Sequence, residues 1–272
     1  MTYLKNKTLQ QGKYQLQQKL RQNAFGISYK AINTISKEVV VIKTLQLGSI
    51  QKDYISTLSR KFLDEARRLA KCSHPNIVPF HEFFQEEGLP FIVMDYIPGE
   101  TLDRVVLPDN PLPEVVAIAY IRQVARALKV IHQNNLLHRD IKPHNLIVTP
   151  DNRQVILIDF GIAREFSEGA TQVHTNLISE GYAPVEQYFL RAKRTAATDI
   201  YGLAATMYTL LTAKIPISAN LRVSLPLSSP KEIRPELSRR VSDAVMQGMK
   251  IQLDDRPHNV DEWMTLLLGS PS

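Results

Sequence analysis

The sequence predicts an α+β chain in two parts: a strand-rich first part with one long helix, then a larger part that is mainly helical. Three observations carry this. The apolar runs Val39-Val40-Val41-Ile42 and Pro90-Phe91-Ile92-Val93-Met94 read as buried strands. A helical stretch from about Tyr54 to Lys71 lies between them. After Pro98-Gly99 the apolar residues recur at three- and four-residue spacing, which makes Ile97-Pro98-Gly99 the candidate hinge.

The elements follow in order. The first strands run to about Tyr96 around that single helix. A second helix near residue 118 carries Ile118, Ile121, Ala125, Leu128 and His132 on one apolar face, and Asn134-Asn135 ends it. From Asp199 to Leu211 the pattern changes. Ile200, Leu203, Ala204, Met207, Tyr208, Leu210 and Leu211 cover most of the circumference, so this helix is expected to be the buried post of the larger part.

The whole chain sets the frame for these elements. Its 272 residues, 44% of them hydrophobic, suffice for a packed interior. The net charge of +6 reads first as general solubility, and a mild positive field also suits an anionic ligand such as a nucleotide. Basic residues occur in short pairs, as at Arg67-Arg68 and Arg239-Arg240, with no aromatic-interleaved stripe, so nucleic acid is not an expected partner. The one cysteine, Cys72, excludes an intramolecular disulfide and a cysteine-built metal site. A polar start and the lack of any apolar run of about twenty residues lead us to expect a cytoplasmic protein with no membrane segment.

Four constellations carry chemistry. His138-Arg139-Asp140-Ile141-Lys142-Pro143-His144-Asn145 follows a helix end, and Pro143 keeps it a loop. It gathers an acid, two cations and an amide, the groups phosphoryl transfer needs to orient a nucleophile, neutralise phosphate and ligate Mg²⁺. Val155-Ile156-Leu157-Ile158-Asp159-Phe160-Gly161 is a strand that delivers Asp159 at its end, where it can share Mg²⁺ with Asn145. Alone, a strand followed by such a turn is common.

Leu58, Phe62, Glu65 and Leu69 share a helical face, and an acid in an apolar stripe needs a partner. Lys43, ending Val40-Val41-Ile42, has the mirror need, so the two are expected to pair. The alternative, Glu65 bent outward to solvent, stays open. The fourth segment, Leu20 to Ser28, lies between two early strands. A glycine-rich phosphate loop is expected there, yet only Gly26 is glycine, and an ordinary hairpin turn reads as well.

Together these motifs resemble the protein kinase superfamily, and within it the compact bacterial serine/threonine kinases, from about Tyr14 to Leu268. The resemblance implies a two-lobed kinase-like fold: one domain over 1–272, with a small antiparallel sheet lobe with one long helix at about 14–95 and a mainly helical lobe at 96–268. It implies transfer of the γ-phosphate of ATP, with Mg²⁺, to a serine or threonine of a protein substrate. Two alternatives are a pseudokinase, which retains the fold as a binding or scaffolding module, and a small-molecule phosphotransferase. The full set Lys43, Glu65, Asp140, Lys142, Asn145 and Asp159 favours the enzyme over the first. The long segment from Asp159 to Glu186 favours a protein substrate over the second. Nothing in the sequence specifies an oligomeric state.

Residue by residue, the resemblance implies that Asp140 is the catalytic base and Lys142 its companion near the γ-phosphate. Lys43 holds phosphates and pairs with Glu65. Asn145 and Asp159 ligate the metal. Met94 is the gatekeeper, the backbone of Asp95 and Ile97 bonds the adenine, and Leu20, Val41 and Ile147 sandwich the ring. Gly26 and Ser28 belong to the phosphate loop. His138, Phe160, Leu69 and Phe80 form an apolar column anchored by Asp199, and Glu186 pairs with Arg256.

Departures stand out at Val185, where the family has proline, and in the phosphate loop. There Arg21 and Asn23 replace glycines, and Ser28 replaces a valine. A side chain at such positions limits how closely backbone approaches phosphate. The hydroxyls Ser167, Thr171, Thr175 and Ser179 fall in the segment that such kinases phosphorylate. Thr171 or Thr175 is the expected regulatory site, with Arg139 and Arg164 to pair the phosphate, whereas the resemblance implies that the Ser179 hydroxyl is used near Asp140 and Lys142. An ordinary solvated loop rich in hydroxyls is the alternative.

Overall fold

The computed structural model describes residues 7–22, 26–46, 52–151, 153–160, 179–189, 191–222 and 224–269. They form two compact units. The first holds the described residues of 7–73 and 78–97, and the second those of 74–77, 98–160 and 179–269.

The first unit is an antiparallel sheet with one helix. Its strands are β1 (Thr8–Leu9), β2 (Tyr14–Gln22), β3 (Gly26–Asn33), β4 (Val39–Leu45), β5 (Phe80–Glu86) and β6 (Leu89–Asp95), in the order β1-β2-β3-β4-β6-β5. Alternation along β2 and β3 sends Tyr14, Leu16, Tyr29 and Ala31 to one face, where they pack with Val40, Ile42, Phe91 and Val93. Phe84 stacks on both Tyr14 and Phe91, at 6.1 and 5.1 Å between ring centroids. Glu82 ties β5 to the start of β2: its carboxylate accepts from Gln10 Nε2 at 2.9 Å, Lys13 Nζ at 2.7 Å and Tyr14 Oη at 2.6 Å. Burial alone would raise the Glu82 pKa, but these three donors and the lysine charge hold it below the usual carboxylate range.

Helix α1 (Lys52–Leu69) buries Leu58, Phe62, Leu63, Ala66 and Leu69, the face expected from the spacing. It starts two residues earlier and stops two earlier than the sequence suggests. Its closing basic residues, Arg67 and Arg68, suit the negative end of the helix dipole.

The second unit is helical around a short sheet of β7 (Glu100–Thr101), β8 (Leu146–Val148) and β9 (Val155–Leu157). Its helices are α2 (Leu102–Val106), α3 (Glu114–Gln133), α4 (Ala196–Thr212), α5 (Pro230–Ile233), α6 (Arg239–Gly248) and α7 (Val260–Leu268). In α3 the buried stripe is Ala117, Tyr120, Ile121, Val124, Leu128 and Ile131. Ile118 and His132 sit at its margin rather than on it. The helix stops where expected: Asn134 closes it and Asn135 turns left-handed at φ 55°.

Helix α4 is buried from Ala197 to Thr212, as its all-round apolar pattern requires. Thr195 and Thr198 cap its first turn reciprocally. A Cβ on Gly248 would lie 2.6 Å from Ala204 Cβ, so the α6 backbone packs directly on the Ala204 methyl of α4. Trp263 of α7 completes this core and donates its indole N–H to Ala244 O at 2.8 Å. Among the described residues no helix is long and apolar enough to cross a membrane.

Candidate active site

The loop 138–145 joins α3 to β8, and α4 holds it from below. Asp199, fully buried in the first turn of α4, accepts the backbone N–H groups of His138 at 2.8 Å and Arg139 at 2.6 Å. It also bonds His132 Nε2 at 2.8 Å. Burial pushes the Asp199 carboxyl up, but the His132 hydrogen bond, the charges of His132 and His138 and the backbone donor hold it below the usual carboxylate range. Arg139 is left-handed at φ 63°, a conformation that costs an ordinary residue about 1–2 kcal/mol. Its N–H bond to Asp199 and the 3.0 Å bond from Gln187 Nε2 to its carbonyl offset that cost. Gly202 lets α4 lie close against the loop: a Cβ there would stand 3.0 Å from Ile141 O, a tight contact.

Asp140 and Lys142 are brought together by this loop, with Lys142 Nζ 3.1 Å from Asp140 Oδ2. Ser179 closes a triangle with them. Its Oγ donates to Asp140 Oδ1 at 2.8 Å and accepts from Lys142 Nζ at 2.6 Å. Asn145, buried in a 3-10 turn that Pro143 begins, donates its amide N–H to Asp140 O at 2.7 Å and to Asp140 Oδ2 at 3.0 Å. That orientation makes the amide oxygen the end of Asn145 able to ligate a cation.

The backbone N–H of Ile158 donates to Asn145 O at 3.0 Å, so the chain leaving β9 reaches Asp159 beside this turn. Phe160 is buried next to it and packs on His138 with ring centroids 4.7 Å apart. Ile147 lies in β8, where Gly99 approaches it closely. A Cβ on Gly99 would meet Ile147 Cγ2 at 2.9 Å, and its φ of 138° is glycine's.

The segment after Ser179 is pinned to α4 as well. Tyr182 Oη bonds Thr209 Oγ1 at 3.1 Å, and burial pushes the phenol up to about 12, which keeps it neutral. Glu186 forms a two-pronged pair with Arg256 at 2.7 and 2.9 Å and accepts from Thr198 Oγ1 at 3.0 Å. Val185, in the place of a proline, leaves this pair intact.

In the first unit, Lys43 is buried in β4 and aligns with Ser28 on one side and Ile92 on the other. Glu65 on α1 is inward, with 12% of its side chain exposed, and accepts from Arg68 at 3.1 Å. Arg68 is a partner that the helical face alone did not reveal. Met94 is buried opposite Val41. The Asp95 N–H donates to Pro79 O at 3.0 Å, and its carboxylate bonds His81 at 2.5 Å. Gly26 opens β3, and Arg21 aligns with Ser28 across a bulge in β2. Leu20 on β2 is 43% exposed, and Ile97 ends the first unit. Asn23, Gly161, Arg164, Ser167, Thr171 and Thr175 lie outside the described residues.

Ser179 lies against Asp140 and Lys142, where the resemblance puts its hydroxyl. Two parts of this site carry no mark in the sequence: His132 matches an apolar face, and nothing singles out Gln187. Each makes its contact across dozens of residues, so no local pattern marks it.

Comparison with known proteins places this geometry. The family described as protein kinase domain matches residues 14–257. The serine/threonine-protein kinase PknH of Mycobacterium bovis is 31% identical over 253 residues, covering 90% of this chain and 42% of that protein. The serine/threonine-protein kinase PrkC of Bacillus subtilis is 31% identical over 248 residues, covering 87% of this chain and 37% of that protein. The chain thus spans about two fifths of the length of these relatives. Among solved structures, the apo form of PpkA-294 superposes with a TM-score of 0.80 at 25% identity, covering 94% of this chain and 96% of that one.

Proposed function

Because the chain belongs to the protein kinase family, we propose that it transfers the γ-phosphate of ATP to serine or threonine hydroxyls of a protein substrate. The observation that carries this is the Ser179 triangle: an aliphatic hydroxyl already rests on Asp140 at 2.8 Å with the Lys142 ammonium 2.6 Å from its oxygen. A carboxylate and an ammonium that hold one alcohol in this way are fit to hold a second.

In this reading Asp140 accepts the hydrogen bond of the incoming hydroxyl, orients its lone pair, and takes its proton as the new P–O bond forms. The β–γ bridging oxygen leaves with ADP. Lys142 neutralises charge on the transferring phosphoryl group. Asn145 fixes the rotamer of Asp140 through its amide N–H and offers its oxygen to a cation. Gln187 and Asp199 hold the loop backbone on which Asp140 stands.

The donor set fits Mg²⁺. The Asn145 amide oxygen and the Asp159 carboxylate are hard oxygen ligands, and Mg²⁺ usually takes one or two protein ligands with phosphate and water completing the shell. When bound, the ion neutralises phosphate charge. We assign nucleotide binding in the first unit to Lys43, supported by Glu65, with Gly26 and Ser28 at the phosphates. Leu20, Val41 and Met94 supply apolar surface for the base. The Asp95 N–H is committed to Pro79, so any backbone contact Asp95 makes with the base falls to its carbonyl, and the N–H partner falls to Ile97.

The test is incubation of purified chain with γ-labelled Mg·ATP and a generic basic protein. Label should appear on serine or threonine, and Asp159→Asn should abolish it with an unchanged circular dichroism spectrum. No transfer by the wild type, or full transfer by Asp159→Asn, refutes the reading.

A further inference from the structure

Lys214 and Ile215, in the turn that leaves α4, have no part in the machinery above. Their surroundings point outward from it. A Cβ on Gly181 would meet Pro216 O at 2.6 Å and Ile215 Cγ2 at 2.8 Å, so the chain just after Ser179 lies directly on this turn. Gly181 has a φ of 82° and admits that approach. Only Glu180 separates it from Ser179, a span of at most about 7 Å, which sets Ile215 within roughly 10 Å of Ser179.

Ile215 is 53% exposed, a large apolar side chain left in water beside the reacting position. Lys214 is exposed too. Among the described residues it has no carboxylate partner, and its N–H donates to Thr212 Oγ1 at 3.2 Å. We propose that Lys214 and Ile215 select the protein substrate, favouring acceptor hydroxyls that have an apolar residue flanked by a carboxylate about three residues away in extended chain. The inference rests on the phosphotransfer reading and names the substrate class for that site.

Charge decides where the acid goes. Glu180, exposed and next to Ser179, repels a carboxylate immediately beside the acceptor. Lys214 attracts one farther out. An apolar substrate side chain that covers Ile215 removes both from water, which favours the complex without touching the reacting atoms. The selection therefore falls on KM and leaves kcat alone.

The experiment uses peptides with one central serine, in which a Leu-Asp pair is moved stepwise along both flanks of an alanine background. One placement should raise kcat/KM on the order of tenfold over the all-alanine peptide, through KM. Ile215→Ser should remove the leucine preference. Lys214→Glu should reverse the aspartate preference to lysine. Both variants should turn over the all-alanine peptide as the wild type does. Uniform turnover of every placement, or wild-type preference in both variants, overturns the assignment. Peptide binding to Asp159→Asn, read by fluorescence anisotropy, separates the two claims. Selective binding with no turnover by the wild type keeps the surface and refutes phosphotransfer. Turnover of the basic protein without selective binding does the reverse, and the absence of both refutes both.

Discussion

Glu186 and Arg256 meet as a two-pronged ion pair across 70 residues of sequence, with 6% and none of their side chains exposed. Arg256 also donates to the carbonyls of Lys250 and Ile251 and lies 5.0 Å from the centroid of the Tyr201 ring. Every strong donor of the guanidinium side is thus engaged in an interior that could not tolerate a lone charge.

Arg256→Ala should therefore destabilise the chain by about 3–5 kcal/mol, since it strands the Glu186 carboxylate in the interior. Arg256→Lys should recover little, because one ammonium cannot replace the planar fork. Urea melts measure both, and a loss under about 1 kcal/mol for the alanine variant would contradict this account.

Asp140→Ala should lose turnover and keep nucleotide affinity, because its partner is the acceptor hydroxyl. Lys43→Met should weaken nucleotide binding as well, because its partner is phosphate. Calorimetry with Mg·ATP, run beside the transfer assay, distinguishes the two. Equal loss of binding in both variants would show that the roles are misassigned.

Glu82 gives a pH-dependent prediction. Its folded pKa is depressed, so its bonds to Gln10, Lys13 and Tyr14 stabilise the fold fully above the unfolded glutamate value near 4.5. That contribution is lost as pH falls through the folded value. Glu82→Gln should melt lower than wild type at pH 7, and the gap should close as pH drops below 4.5. A gap that is constant from pH 7 down to pH 3 would exclude the carboxylate as its source.

Arg21→Gly combined with Asn23→Gly should tighten nucleotide binding or raise turnover, because side chains there keep backbone N–H groups from phosphate. Calorimetry on the double variant decides this. Unchanged or weaker binding would mean that Arg21 or Asn23 makes a phosphate contact of its own.

The parts of this site visible in the sequence are those where chemistry is contiguous. The loop 138–145 packs its acid, cations and amide into eight residues, and Asp159 announces itself at the end of an apolar strand. The buried character of α4 was legible because its apolar residues circle the helix. What stayed hidden depends on tertiary contact. His132 matches the three-four spacing of an apolar stripe, and only the carboxylate 67 residues away turns it into a hydrogen-bonding partner. Glu65 shows the same effect on a small scale. Its position on an apolar face calls for a counter-charge, expected from Lys43, and the contact it also makes with Arg68 one turn on is not marked by that face. Glu82 sits on a strand edge, and three donors from the chain's first turns make it a hub.

Helix α4 also serves as a ruler. Thr198, Asp199, Gly202 and Thr209 stand on one rod, and they take the positions of Glu186, of the 138–139 backbone, of Ile141 and of Tyr182. The spacing of base and neighbouring hydroxyl is thereby inherited from the 3.6-residue period of one helix. Surrounding loops are at liberty to lengthen or shorten, whereas one extra residue between Asp199 and Gly202 would turn half the marks by about 100° and put the two segments out of step.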